Sequence, residues 1–204
     1  MGGLLDLISG LLANRRVRRL LRGAPTATLA ELGENTFARV TGTVETFRSR
    51  ALEAPLSGRL CAYYSIVVLE RSRGDARELA SEQEGIPFLL RAGDAHAVID
   101  PAHALISSGY DHKRDTSLAA ATDPELALIG RHRITRWDID ELLFREAILA
   151  IGERVVVYGA GMREPDPDAP AGEQGYRDPR ATRLRFTGTA RYPLVISDDP
   201  KSVR

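Results

Sequence analysis

A chain of 204 residues with 43% hydrophobic and 27% charged side chains is long enough for one domain with a sizeable core, and its composition is ordinary for a globular protein. Its 28 basic and 28 acidic side chains cancel, which removes any global electrostatic argument for a nucleic-acid partner. A single cysteine excludes an internal disulfide and a Cys/His zinc module, so a reducing, cytoplasmic compartment is expected.

Residues 1–23, MGGLLDLISGLLANRRVRRLLRG, predict an amphipathic, basic N-terminal helix. At about 100° per residue, Leu4, Leu5, Leu7, Ile8, Leu11 and Leu12 share one broad face opposite Asp6 and Ser9. Past Asn14 the pattern changes: Arg15, Arg18, Arg19 and Arg22 extend the apolar face, while Val17, Leu20 and Leu21 move to the other side. Either the helix breaks there or it meets different partners along its length. The arginines follow the apolar stretch and no small-residue cleavage site is present, so a secretory signal is not expected. Gly2 to Ala13 also falls short of the about 20 apolar residues of a spanning helix. Two readings stay open. In one, Leu4, Leu5, Leu7, Ile8, Leu11 and Leu12 with Arg15, Arg16, Arg18 and Arg19 form a peripheral membrane or partner contact. In the other, the helix packs on its own domain or on another copy in a homo-oligomer.

From Ala24 onward a Pro/Thr/Ala linker leads into short β-like runs. ENTFARVTGTVETF alternates, with Ala38, Val40, Gly42, Val44 and Thr46 turned inward. In CAYYSIVVLER one face holds Cys61, Tyr63, Ser65, Val67 and Leu69 and the other Ala62, Tyr64, Ile66 and Val68, which predicts a central strand covered on both sides. The charged RSRGDARELASEQEG reads as a hairpin loop or a short exposed excursion, and IPFLLRAGDAHAVIDP as two strands turning at Ala92 to Asp94. SSGYDHKRDTS reads as a loop, and DPELALIG as a short helix beginning at Asp123 with Pro124 in its first turn. In DIDELLFREAILAIG helical and strand periodicities compete; VVVYG is a buried strand. MREPDPDAPAGEQGYRDPRA is a surface loop, mobile near 163–181, followed by the strands TRLRFTG and PLVISD.

In this order VTGTVE, PLSGRLCAYY, PFLLRAGDAHAVIDPAHA, REAILAIGERVVVYGAG and PLVISDD resemble the GIDE, or BAM (beside a membrane), domain over roughly residues 26–199. That module accompanies a RING in a membrane-anchored mitochondrial E3 ubiquitin ligase and occurs in bacterial proteins. The residues carrying the resemblance are Leu56, Ser57, Gly58, Arg59, Cys61, Tyr63 and Tyr64 in the first block, and Glu146, Gly152 and Gly159 in the E-x-x-L-x-x-G-E-x-V-x-V-x-G pattern. The resemblance implies a strand for Leu142 to Leu149. The cysteine set of a RING is lacking, so ligase activity is not implied.

Cys61 lies inside an apolar strand, where a small buried side chain is expected instead of a nucleophile. His96, His103, His112 and His132 lack compact metal-ligand spacing. Tyr158-Gly159-Ala160-Gly161 departs from a phosphate loop because Glu164 occupies the third glycine position. Asp138, Asp140 and Glu141 read as a solvated turn. Arg131, His132, Arg133 and Arg136 beside Trp137 form one local basic-aromatic group of the kind that grips single strands.

Together these readings predict a mainly β fold, a barrel or sandwich with an OB-like barrel as one form, plus an N-terminal α-helix, α+β overall. Residues 1–23 form the helix and 24–204 one GIDE/BAM-like β-rich domain. The expected role is a non-enzymatic interaction or scaffold module near a membrane or in an assembly, with no cofactor and no metal. A single-stranded nucleic-acid binder and an enzyme of unknown reaction are the alternatives.

Overall fold

Alternation read at residues 38–46 becomes strand β1 (Ala38–Thr46) in the computed structural model, which describes residues 17–72, 75–135, 141–167, 182–189 and 191–199. Ala38, Val40, Gly42 and Val44 point into the core and Arg39, Thr41, Thr43 and Glu45 lie half-buried on the other side. Thr46, expected inward, is exposed because the chain turns away at Phe47 to Arg50.

The chain is mainly β. Helix α1 is described at residues 17–23. Then follow β2 (Leu52–Glu53), β3 (Leu60–Ser72), β4 (Asp75–Gly85), β5 (Phe88–Ala92), β6 (Ala95–Asp100), β7 (Leu105–Ser107) and β8 (His112–Thr116). After helix α2 (Asp123–Arg131) come β9 (Glu141–Ala150), β10 (Arg154–Gly159), β11 (Gly161–Pro165), β12 (Thr182–Thr187) and β13 (Val195–Ser197). One sheet of eight strands has the order β11-β12-β6-β5-β1-β10-β13-β7, antiparallel except for the β12/β6 and β13/β7 pairs. The other runs β2-β3-β9-β8, with β4 also paired to β3.

Three apolar clusters stack through these layers. The first joins the inner face of the larger sheet, through Val40, Leu90, Ile99, Phe186 and Ile196, to Ala62 and Leu149 of the smaller sheet and to Leu29 and Leu32. The second lies on the other side of the smaller sheet, where Ile66, Phe144 and Ile148 meet Leu128 and Ile129 of α2. The third is on the outer face of the larger sheet, where Val17 and Leu21 of α1, four residues apart and so on one face, cover Val156 and Val195.

Several expectations are corrected. Residues 75–85 are no loop: they form β4, paired with β3 from Tyr63↔Gly85 to Ser72↔Asp75. Their charge is that of an edge strand, whose polar side chains keep it soluble, and it hid the strand from a hydrophobic pattern. His112 to Thr116, also read as loop, pair with β9 for the same reason. Residues 163–165, read as part of a mobile loop, are the end of β11 on β12; 168–181 lie outside the described residues. The two-sided burial expected for CAYYSIVVLER is replaced by one buried face, Tyr64, Ile66, Val68 and Glu70, with Tyr63, Ser65, Val67 and Leu69 half-buried.

A bulge also overturns the expected pairing of faces in β3. Cys61 opposes Ala150 but Tyr63 opposes Leu149, so Ala62 is an extra residue. Side-chain parity flips there: Ala62 and Tyr63 turn to the first cluster, and Cys61 joins Tyr64 and Ile66 in the second. The periodicity conflict in DIDELLFREAILAIG resolves as β9, and α2 starts as read, with the Thr122 N–H donating to the Glu125 side chain at 2.7 Å.

Candidate functional site

Glu146 joins the two blocks that carry the resemblance. On β9 its side chain is fully buried beneath the Ala54 to Arg59 turn. The Leu56 N–H donates to its Oε1 at 2.7 Å and the Ser57 N–H to its Oε2 at 3.1 Å. The turn closes on itself, since the Gly58 N–H donates to the Ala54 carbonyl at 2.8 Å and the Ala54 N–H to the Arg59 carbonyl at 2.9 Å. Gly58 has φ +66° and Gly152, at the β9–β10 turn, φ +88°, conformations that cost little only for glycine. Gly159 serves packing: a Cβ there would lie 2.5 Å from Leu194 Cδ1.

Below this turn, Cys61 is completely buried and its thiol is pushed up to about 11, chiefly by burial and secondarily by Glu146. At neutral pH it is therefore a protonated apolar side chain, not a nucleophile. The paired tyrosines donate to separate partners on β4, Tyr63 to Gln83 at 3.0 Å and Tyr64 to Glu84 at 3.1 Å. Burial and the Glu84 contact raise the Tyr64 hydroxyl to about 12.

A second polar group lies beside the turn. Asp111 Oδ2 accepts from the Ile148 N–H at 3.0 Å, and its Oδ1 lies 3.4 Å from Arg59 Nη1. Glu153 accepts from the Ala150 N–H at 2.9 Å; burial raises its pKa, with Asp111 adding to the shift. Asp198 is pushed up to about 7 by burial, then by Glu153 and Asp111. The acids come from three separate segments and engage backbone groups: Asp111 beside β9, Glu153 within the β9–β10 turn, and Asp198 at Gly109. Sequence reasoning missed them because no spacing relates residues 111, 153 and 198.

A small concave site sits at the far edge of the larger sheet. A cavity of about 250 Å³ is lined by Leu29, Leu32, Asp94, His96, Arg163, Asp166, Thr182 and Arg183. His96 Nε2 lies 2.9 Å from Asp166 Oδ2, and the nearly buried Arg183 reaches Asp166 Oδ1 at 3.1 Å and Glu164 Oε1 at 2.8 Å. Burial opposes ionisation of Glu164, but Arg185 and Arg183 outweigh it and hold its carboxyl below the usual range. The histidine is oriented by an aspartate, yet no serine or cysteine lines this cavity among the described residues.

No protein-family model, curated protein or solved structure matches this chain.

Among the described residues no group of three or more His, Cys, Asp or Glu side chains is placed to hold a metal. His132 Nε2 contacts Glu82 at 2.8 Å, His112 lies opposite Glu146 on β8, and His103 sits in a turn with φ +60°. Of the basic-aromatic group, Arg131 pairs with Glu82 at 3.3 Å, while Arg136 and Trp137 lie outside the described residues. Asp138 and Asp140 also lie outside them, and Glu141 pairs with Arg71 at 2.8 Å. Of the helix contacts, Leu4, Leu5, Leu7, Ile8, Leu11, Leu12, Arg15 and Arg16 lie outside the described residues. Arg18 and Arg19 are exposed, and Arg18 bridges to Asp199 at 2.9 Å. No described helix is long and apolar enough to cross a membrane.

Proposed function

We propose that this chain is a non-catalytic interaction or scaffold module of the GIDE/BAM type, acting near a membrane or within an assembly, with residues 1–23 as its docking element. One observation supports it above others: the chemistry-bearing residues of the resembling blocks are engaged in holding the fold. Glu146 receives the Leu56 and Ser57 amides, and the Cys61 thiol is buried and raised out of the reactive range. Docking also fits α1, whose Val17 and Leu21 grip the domain while Arg19 and Arg22 face outward.

Comparing the intact chain with its Leu7→Glu/Leu11→Glu variant in vesicle flotation and in sedimentation tests this role. Loss of vesicle binding or of self-association in the variant is expected. Identical behaviour in both measurements overturns docking through the helix. The His96 cavity favours a second reading, a site for a small polar ligand. A His96→Asn variant would then lose thermal stabilisation by whichever small molecule stabilises the native chain.

A further inference from the structure

We propose that the outer face of the larger sheet around α1 is itself a docking surface for an anionic lipid bilayer, so that the folded domain contacts the membrane beside the N-terminal helix. This rests on the reading that residues 1–23 bring the chain to a membrane, and it names the partner.

Tyr158 joins the helix-covered cluster to the aromatic side chains of this face. On β10 it packs against the cluster formed by Val17, Leu21, Val156 and Val195, and it also meets Phe37, ring centroids 6.1 Å apart. Phe37 in turn meets Tyr192 at 6.3 Å. Phe37 is 45% exposed and Tyr192 58%, and Leu20 of α1, 37% exposed, lies on the helix next to Leu21. An apolar and aromatic strip thus continues from the helix across the sheet face, where an isolated domain would gain by covering it. Rings of this kind are favoured at the headgroup level of a bilayer.

Charge selects the partner. The whole chain is neutral, with 28 basic and 28 acidic residues, yet this face gathers Arg18, Arg19, Arg22, Arg39 and Arg191. Arg39 is the register partner of Tyr158, and the Arg191 guanidinium lies 5.3 Å from the Tyr192 ring centroid. Arg18 pairs with Asp199, but among the described residues no carboxylate pairs with Arg19, Arg22, Arg39 or Arg191. The described lining of an open hollow of about 510 Å³ is Arg18, Arg19, Arg22 and Gly23, a setting for a phosphate headgroup. The aromatic geometry favours lipid over single-stranded nucleic acid. The Phe37 ring is tilted 48° to Tyr158 and 58° to Tyr192, which leaves no parallel platform on which successive bases stack.

The test is sedimentation of the full chain with phosphatidylcholine vesicles, with and without about 30 mol% phosphatidylglycerol. The variants are Arg19→Gln/Arg22→Gln, Phe37→Ser/Tyr192→Ser and Leu7→Glu/Leu11→Glu; both face pairs alter exposed side chains, and unchanged thermal unfolding confirms that they fold. At about a fivefold contribution per arginine near an anionic surface, the arginine pair is expected to lower partitioning roughly 25-fold. The aromatic pair is expected to lower it roughly tenfold, and wild-type binding to weaken between about 0.1 and 0.5 M salt. Wild-type binding with both face variants unimpaired and only Leu7→Glu/Leu11→Glu defective overturns this inference and leaves helix docking standing. Equal binding to neutral and anionic vesicles overturns it as well. No wild-type binding to either vesicle overturns both the inference and a membrane role for the helix. Retention of a single-stranded oligonucleotide, lost in the arginine pair, would reassign the face to nucleic acid and overturn it.

Discussion

Replacing Glu146 with Gln tests the link between β9 and the Ala54 to Arg59 turn. The wild-type carboxyl group is wholly buried and presents one oxygen to each of the Leu56 and Ser57 amides, at 2.7 and 3.1 Å. Glutamine keeps the shape but turns one acceptor into a donor, so one buried N–H faces another N–H. Losing a charge-assisted hydrogen bond costs about 1.5–3 kcal/mol, and stranding a buried donor costs about 1–3 kcal/mol; the two overlap, and about 2–3 kcal/mol is expected. For a domain of this size that lowers the melting temperature by roughly 5–10 °C. Urea unfolding should show a lower midpoint at unchanged slope, and amide exchange at Leu56 and Ser57 should accelerate well beyond that of the β1 amides. A variant within about 0.5 kcal/mol of wild type, with those two amides still protected, would show that the turn is held by its own closure through Gly58 and Arg59 and would refute the reasoning.

Three further outcomes follow from the same geometry. With its thiol raised from 9.0 to about 11, Cys61 holds about 100-fold less thiolate near neutral pH, so native alkylation at pH about 8 should be at least that much slower than in urea; Cys61→Ala should cost about 1–2 kcal/mol, and fast native labelling would contradict the burial. Asp198 is held near 7 in the fold, above its ordinary 3.8, so the folded chain keeps a proton that the unfolded chain releases. Its contribution is complete below the unfolded value and is lost as pH rises through about 7. Asp198→Asn should match wild type under acid conditions and exceed it in stability above pH 7; a pH-independent difference in denaturant midpoints would sink the assignment. Gly159→Ala drives a methyl group to 2.5 Å from Leu194 Cδ1 in a buried pair, and a loss of about 1–3 kcal/mol by thermal unfolding is expected, with neutrality showing that β10 can shift.

How much of this was legible in the chain depended on whether a side chain's environment is set by its neighbours in sequence. Val40 and Val44 announce an inward face because a strand alternates, and Asp123-Pro124 announces a helix start because the first turn needs no proline N–H. The β-rich class with added helix was readable for that reason, as was β9 once the resemblance was joined to periodicity. β4 and β8 were not, because an edge strand with a solvated face carries the same charged residues as a loop, and only its hydrogen-bonding partner distinguishes the two. The parity flip at Ala62 was equally hidden, since a bulge is defined by the opposing strand.

The residues that cooperate in this molecule were present in the sequence one by one: Glu146 and Leu56, His96 and Asp166, Tyr158 and Phe37. Composition and local pattern determined a β-rich chain with a buried cysteine, since those follow from residue type and short-range period. Only the tertiary structure decided that Glu146 caps a turn 90 residues away, that an Asp-oriented histidine lines a cavity, and that aromatic and arginine side chains from four segments share one face. Such meetings depend on strand order and register across long loops, and no local propensity encodes them.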